Sequence, residues 1–226
     1  MKNTIIHFKR FKHSSISFAL LVLLALFTLS TLTFATPNPQ EVKDLKDKFQ
    51  AVCGWLSING TRIEEPIVKG NDNARYLRFN YQEQRASAGA VFMDFRNLGQ
   101  FYDTHMALYG HYMESGTLFH DLHLYKEAEF FAENPILTVV GLREKQTYQI
   151  VSVRIVDADD YYLVLDLKDE ALEAYIKYVN RNSKYPIPLP DISAKSTQRS
   201  LKMITLVTCS YEFDNARLLI HAIAGR

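Results

Sequence analysis

Apolar and polar positions divide the chain into three regimes. Across 15–36 (SISFALLVLLALFTLSTLTFAT) no residue carries a charge, and Leu, Phe, Val and Ala dominate. Next, Val42, Leu45, Phe49 and Val52 recur at helical spacing with Lys and Asp between them, which predicts an amphipathic helix packed on a domain. Beyond Cys53 the pattern changes to short apolar stretches with turn residues between them: GWLSI (54–58), PIVKG (66–70), AGAVFMD (88–94), HMALYGH (105–111), ILTVVGL (136–142), TYQIVSVRIVDA (147–158), MITLVTC (203–209) and RLLIHAIA (217–224). Rich in Val, Ile, Thr and Tyr, these predict about eight strands.

Helical patterns interrupt the strands at 116–134 and at 168–182, where Leu172, Tyr175, Ile176 and Val179 share one face. The proline-rich KYPIPLPD (184–191) cannot continue the second helix. No internal repeat or low-complexity tract is present. A mainly β (α+β) barrel or sandwich with inserted helices is the expected architecture.

The uncharged run is long enough to cross a bilayer, since roughly 20 residues at about 1.5 Å rise span the hydrocarbon. Lys2, Lys9, Arg10 and Lys12 precede it, which favours an N-terminus kept inside and a domain sent outside. A signal peptide cut after Ala35 is the competing reading, with the same destination. The expected organisation is a basic N-terminus at 1–14, a signal-anchor at 15–36, a juxtamembrane helix at 37–52 and one domain at 53–226.

Composition adds two exclusions. With 47% hydrophobic and 23% charged residues among 226, the chain is an ordinary folded protein. The net charge of +1 includes the four N-terminal cations, so the remainder is slightly acidic and offers no basic surface for nucleic acid. No Gly-rich phosphate loop or EF-hand loop is present.

Cys209 ends one expected strand and Arg217 opens the next, so a hairpin-like connection would set them side by side at one sheet end. A cation beside a thiol favours the reactive thiolate, and an Arg can donate to an oxyanion. Spacing alone equally permits a small buried hydrophobe. His111 follows a strand and precedes a glycine-bearing turn, a place for proton transfer or for a structural imidazole. His105 shares its strand parity, His120 and His123 stand three apart, and His221 alternates onto the face of Arg217. No metal-ligand spacing supports a zinc site among them. Cys53 adjoins the single Trp and reads as packing, although a disulfide with Cys209 is open to an exported domain.

TLVTC followed by Arg, with YGH about a hundred residues earlier, resembles the sortase family, and class B in particular. GWLSINGTRIEEPIV, NDNARYL, AGAVFMDFRN, LYGHYMESGTLFHDL, FFAENP and TLVTCSYEFDNARLLIHA occur in family order across nearly all of 54–222. The helix at 168–182 resembles a class B insertion. The resemblance implies a closed eight-stranded sortase barrel. It also implies a membrane-anchored cysteine transpeptidase on the outer face of a Gram-positive cell. Such an enzyme cuts a C-terminal sorting signal (NPxTN-like or LPxTG-like) after its Thr and passes the acyl group to an amine of a peptidoglycan precursor, without cofactor or metal.

Carried over by position, the resemblance makes Cys209 the nucleophile, His111 the acid and base, and Arg217 the oxyanion and substrate contact. It places Asn73, Leu77, Tyr175 and Ile176 in the peptide groove, with Tyr112, Val207 and Ser210 around the catalytic positions. Val207 and Tyr112 depart from the common class B pattern of Ser and Asn there, which bears on the signal rather than the reaction. Other outcomes at the same site are a pilin-polymerising enzyme, a thiol hydrolase and an inactive peptide-binding module.

Overall fold

A computed structural model describes residues 36–99, 101–159, 163–192 and 201–224. The segment expected to span the membrane lies, apart from Thr36, outside the described residues. Among those described, no helix is long and apolar enough to cross a membrane.

Eight strands form one closed barrel: β1 (Val52–Ile58), β2 (Glu64–Lys69), β3 (Val91–Met93), β4 (His105–Tyr109), β5 (Ile136–Val140), β6 (Lys145–Asp157), β7 (Lys202–Cys209) and β8 (Ala216–Ala224). Their order around the barrel is β1-β2-β3-β4-β7-β8-β6-β5, closed by the β5–β1 pairing. β2–β3 and β4–β7 are parallel and the other neighbours antiparallel. Closure leaves no sheet edge to pair with another chain. Alternation sorts the faces: Leu56, Met106, Leu108, Ile204, Leu206, Leu218 and Ile220 fill the interior, while Met203 and Ile223 belong to a separate outer cluster.

Helix α1 (Pro39–Lys48) opens with a capping box, in which Asn38 accepts from the backbone of Gln40 and Glu41 while the Glu41 carboxylate accepts from Asn38 N–H. Pro39 at the first turn fits the same start. Val42 and Leu45 pack on the outer face near Val52, Val68 and Val140. The helix stops at Lys48 because Phe49 is extended, so Val52 belongs to β1 despite its helical spacing.

The region 116–134 is helical in two pieces. Phe119–Lys126 is a 3₁₀ helix and Ala128–Glu133 is α2. The buried Phe119, Leu122 and Tyr125 recur every three residues, the period of a 3₁₀ turn. β3 is shorter than its apolar run, because Gly89 and Ala90 give their N–H groups to Ala86 and Tyr76 in the preceding loop. Helix α3 (Asp169–Arg181) lies on the outside of β6, β7 and β8, burying Leu172, Ile176 and Val179 against Val151, Met203 and Ile223. Each such side chain contributes about 1.5–3 kcal/mol. Ser152 Oγ fastens its last turn by donating to Val179 C=O at 2.8 Å.

Candidate active site

Cys209 and Arg217 are direct register partners, the last pair of the β7–β8 ladder. Both have the parity of Met203 and Ile223, so they stand on the outer face of the barrel at its rim. Ser210 N–H closes the connection on Ala216 C=O at 2.9 Å. Arg217 Nη1 donates to Asn215 and Ala216 C=O at 3.2 and 3.0 Å, which turns the guanidinium along this loop.

His111 arrives from the other side. Parallel β4 pairs Tyr109 with Val207, and Gly110 N–H continues the ladder to Val207 C=O at 3.3 Å. Two further residues in step bring His111 level with Cys209. Glycine is needed at 110 because a Cβ there would lie 2.8 Å from the Phe119 ring. The imidazole is fixed by Nε2–H donating to Leu77 C=O at 3.0 Å, a tautomer set by the carbonyl acceptor.

A groove of about 370 Å³ joins these three residues to Asn73, Leu77 and Val207, with Phe92 stacked on Tyr109 in its wall. Asn73, Leu77 and Val207 thus share one groove with Cys209, His111 and Arg217. Asp94 organises one side: fully buried, it accepts from Asn73 Nδ2 at 3.1 Å, Tyr109 Oη at 2.9 Å and Arg96 Nη2 at 2.9 Å. Burial alone would raise its pKa, but these donors outweigh it and hold the carboxyl down at about 2. Asn73 is thereby oriented, its Oδ1 accepting from Phe95 N–H. Thr208, also in the wall, has a buried hydroxyl with no partner among the described residues.

A second network holds the nucleophile's backbone. His123 Nε2–H donates to Cys209 C=O at 2.9 Å, and its Nδ1 accepts from Lys126 Nζ at 3.2 Å. Lys126 pairs with Glu212 at 2.5 Å, and Glu212 accepts from Ser210 Oγ and Tyr211 N–H. This closed ring ties the β7–β8 loop to the 3₁₀ helix. Burial pushes the pKa of His123 down, which keeps it in the neutral form the ring requires.

Four other residues expected to bind substrate do not line this groove. Tyr112 stacks on His120 and His123, with ring centroids 4.8 and 4.2 Å away, so it braces that network and does not line the groove. Ser210 is buried with its hydroxyl on Glu212. Ile176 is fully buried beneath α3, and Tyr175 lies against His105 and His221, because the helix docks its apolar face on the barrel and not toward Cys209. His221 shares the face of Arg217 but sits four residues, roughly 13 Å, along the strand. There it joins His105 through Thr205 Oγ1, at 2.9 and 2.8 Å. His120 bonds Met113 C=O. Both cysteines are free; Cys53 is buried at the barrel interior, and burial pushes its thiol up to about 12. Tyr109, Asp94, Lys126 and Glu212 are additions that the sequence reading did not single out, and His123, weighed there only as a metal ligand, instead bonds Cys209 C=O.

The comparisons agree with this architecture. Residues 56–224 match the sortase domain family. Sortase B of Listeria monocytogenes is 31% identical over 183 residues, spanning 80% of this chain and 72% of the relative. The crystal structure of Clostridium perfringens sortase B superposes with a TM-score of 0.74 at 29% identity, covering 81% of this chain and 99% of that one. A Bacillus anthracis protein described as similar to sortase B gives 0.72 at 30%, with 81% and 82% covered.

A closed barrel carrying a cysteine at the rim, matched over this length, makes the chain a member of the sortase family. Within that family it is of class B, a cysteine transpeptidase that anchors surface proteins. Its partners are proteins with a sorting signal and a peptidoglycan amine acceptor.

Proposed function

We propose that Cys209, His111 and Arg217 perform the transpeptidation, on a C-terminal signal of the NPxTN-like or LPxTG-like kind. The observation that carries this reading is the convergence of the three on one groove from β4, β7 and β8. The alternative thiol, Cys53, is enclosed and held protonated.

In this reading the Cys209 thiolate attacks the Thr carbonyl of the signal. Arg217 offers its planar donors to the oxyanion. His111 protonates the departing amine, leaving a thioacyl-enzyme, and takes a proton from the amine that resolves it. Asn73 and Leu77 hold the signal peptide beside Val207. The uncharged run at 15–36 with its basic flank supports a single-pass anchor, an N-terminus inside and a domain outside the membrane.

The test is a peptide panel. The full-length chain is incubated with NPxTN-like and LPxTG-like peptides, with and without an added amine, and the products are identified by mass. Cleavage after Thr, with ligation to the amine, supports the reading and selects the signal. Release of an uncleaved peptide from every member of the panel contradicts it.

A further inference from the structure

Cys209 closes β7 at one end of the barrel, and Lys202 opens it at the other. Seven residues separate the two, roughly 23 Å along the strand. At the Lys202 end, Val139 of β5, Tyr148 of β6 and Lys202 of β7 have the parity of Leu137, Ile150 and Ile204, which face the barrel interior. Together with Phe101 from the β3–β4 connection they line a cavity of about 240 Å³. The barrel therefore has a second mouth with a hollow of its own, remote from the peptide groove.

This mouth is built around one ring. A Cβ at Gly54 would lie 2.5 Å from the Phe101 ring, and one at Gly141 3.1 Å from it. Two glycines, one on β1 and one in the β5–β6 turn, thus make room for the same side chain. Phe101 itself has φ +61°, a left-handed backbone that a residue with a bulky side chain seldom adopts. Lys202 Nζ holds that backbone by donating to Phe101 C=O at 2.9 Å. Strain of this kind persists only where the surroundings fix it, and it collects at ligand clamps.

Charge at the mouth is poorly balanced. The Lys202 side chain is only 19% exposed, and its ammonium has three donors, one of which goes to Phe101 C=O. The neighbouring carboxylate, Glu144, is 3.8 Å away and itself 66% exposed. Arg143 lies over the Tyr102 ring at 5.8 Å, with no carboxylate in ion-pair distance among the described residues. Both cations line the cavity, whose inner wall is Val139, Phe101 and Tyr148.

These features select a ligand chemistry. A carboxylate satisfies the remaining donors of Lys202 and is attracted by Arg143. An apolar body behind it covers Val139, Phe101 and Tyr148. A neutral molecule leaves the enclosed ammonium short of partners, and a wholly polar anion leaves the inner wall uncovered. The volume falls just below the range of about 300–1,000 Å³ usual for drug-sized ligands, so the molecule is small. We infer that the barrel mouth at Lys202 is a binding site for a small organic carboxylate with an aliphatic or aromatic body.

Matched acids and amides test it. The full-length chain receives benzoate or benzamide, and in parallel hexanoate or hexanamide, and Kd is read by equilibrium dialysis at pH 7. The acids are expected to bind about tenfold tighter than the amides, as for one charge-assisted contact. Lys202→Met should abolish that difference while keeping the apolar stem. Arg143→Gln, at an exposed position, should reduce it about threefold, and serves where the Lys202 variant fails to fold. Arg217→Ala, which removes the cation of the peptide groove, should leave it intact. A 4-azidobenzoate photolabel should map to 101–102 or 139–148. Equal affinity for acid and amide overturns the inference, as does a preference that survives in a folded Lys202→Met. A preference lost in Arg217→Ala, or a label confined to the groove of Cys209, overturns it too, because the acids would then bind at the peptide groove.

Discussion

Arg217 stands directly across the β7–β8 ladder from Cys209, on the same face, at the last pair before the connecting loop opens. Its Nη1 rests on the carbonyls of Asn215 and Ala216, within the loop that begins after the nucleophile's strand. Arg217 also lines the groove that holds Cys209 and His111.

Arg217→Lys is therefore expected to fail nearly as badly as Arg217→Ala. An ammonium cannot bond the loop carbonyls and still offer a planar fork. Both variants should lower kcat by about 100-fold or more, the usual loss for an oxyanion donor. Steady-state ligation assays check this, and a Lys variant within a few-fold of the parent would show that charge alone suffices.

His123 is expected to act on turnover through Cys209 C=O. His123→Phe removes the donor while keeping a ring against Tyr112, and should lower kcat about tenfold with the signal-peptide KM little changed. His123→Gln, which can restore an N–H to the carbonyl, should recover part of the loss. As pH falls through the depressed pKa of His123, its Nδ1 takes a proton and can no longer accept from Lys126. The parent enzyme should therefore lose turnover on the acid side by more than the Gln variant does. A pH–rate comparison of the two reads this directly.

Asp94→Asn should loosen Asn73 and Tyr109 together. The expected result is a raised KM for the signal peptide and a loss of about 2 kcal/mol in stability. The Asp94 carboxyl is depressed to about 2, so its contribution is present above the ordinary carboxylate range and is lost as pH falls toward that value. Urea unfolding at pH 7 and pH 3 should show the parent and the variant converging at the lower pH.

The buried pair His105 and His221 predicts a separate acid sensitivity. Burial pushes His105 down to about 4 and His221 well below its ordinary range. A lowered histidine gives stability above its unfolded pKa that is lost as pH falls, here from about 6.5 toward 4, on the order of 3 kcal/mol for His105. The urea midpoint should drop across that window, and His105→Gln should flatten the slope.

The legible parts of the site are those fixed by local geometry. A strand ending in Cys209, a short loop and a strand opening at Arg217 suggest a hairpin-like rim, and the barrel has one. His111 is two residues past β4, and its level with Cys209 depends on β4 and β7 being parallel neighbours, which the family resemblance implies but spacing does not. Tyr175 and Ile176 show the opposite case. A 3.6-residue apolar period says that one helix face is covered, and is silent on whether a barrel or a peptide covers it. His123 carries no local signal either, since the carbonyl it bonds is 86 residues away. Val52 kept the helical period by coincidence, and an extended Phe49 ended the helix before it.

The most direct test of the assignment of Cys209, His111 and Arg217 is the intact mass of the full-length chain during incubation with a sorting-signal peptide. The account predicts an added acyl group, mapped to Cys209 by fragmentation, lost on adding an amine and absent in Cys209→Ala, with His111→Ala and Arg217→Ala slowing its appearance. An adduct mapped to Cys53, or amine ligation that persists in Cys209→Ala, would contradict it.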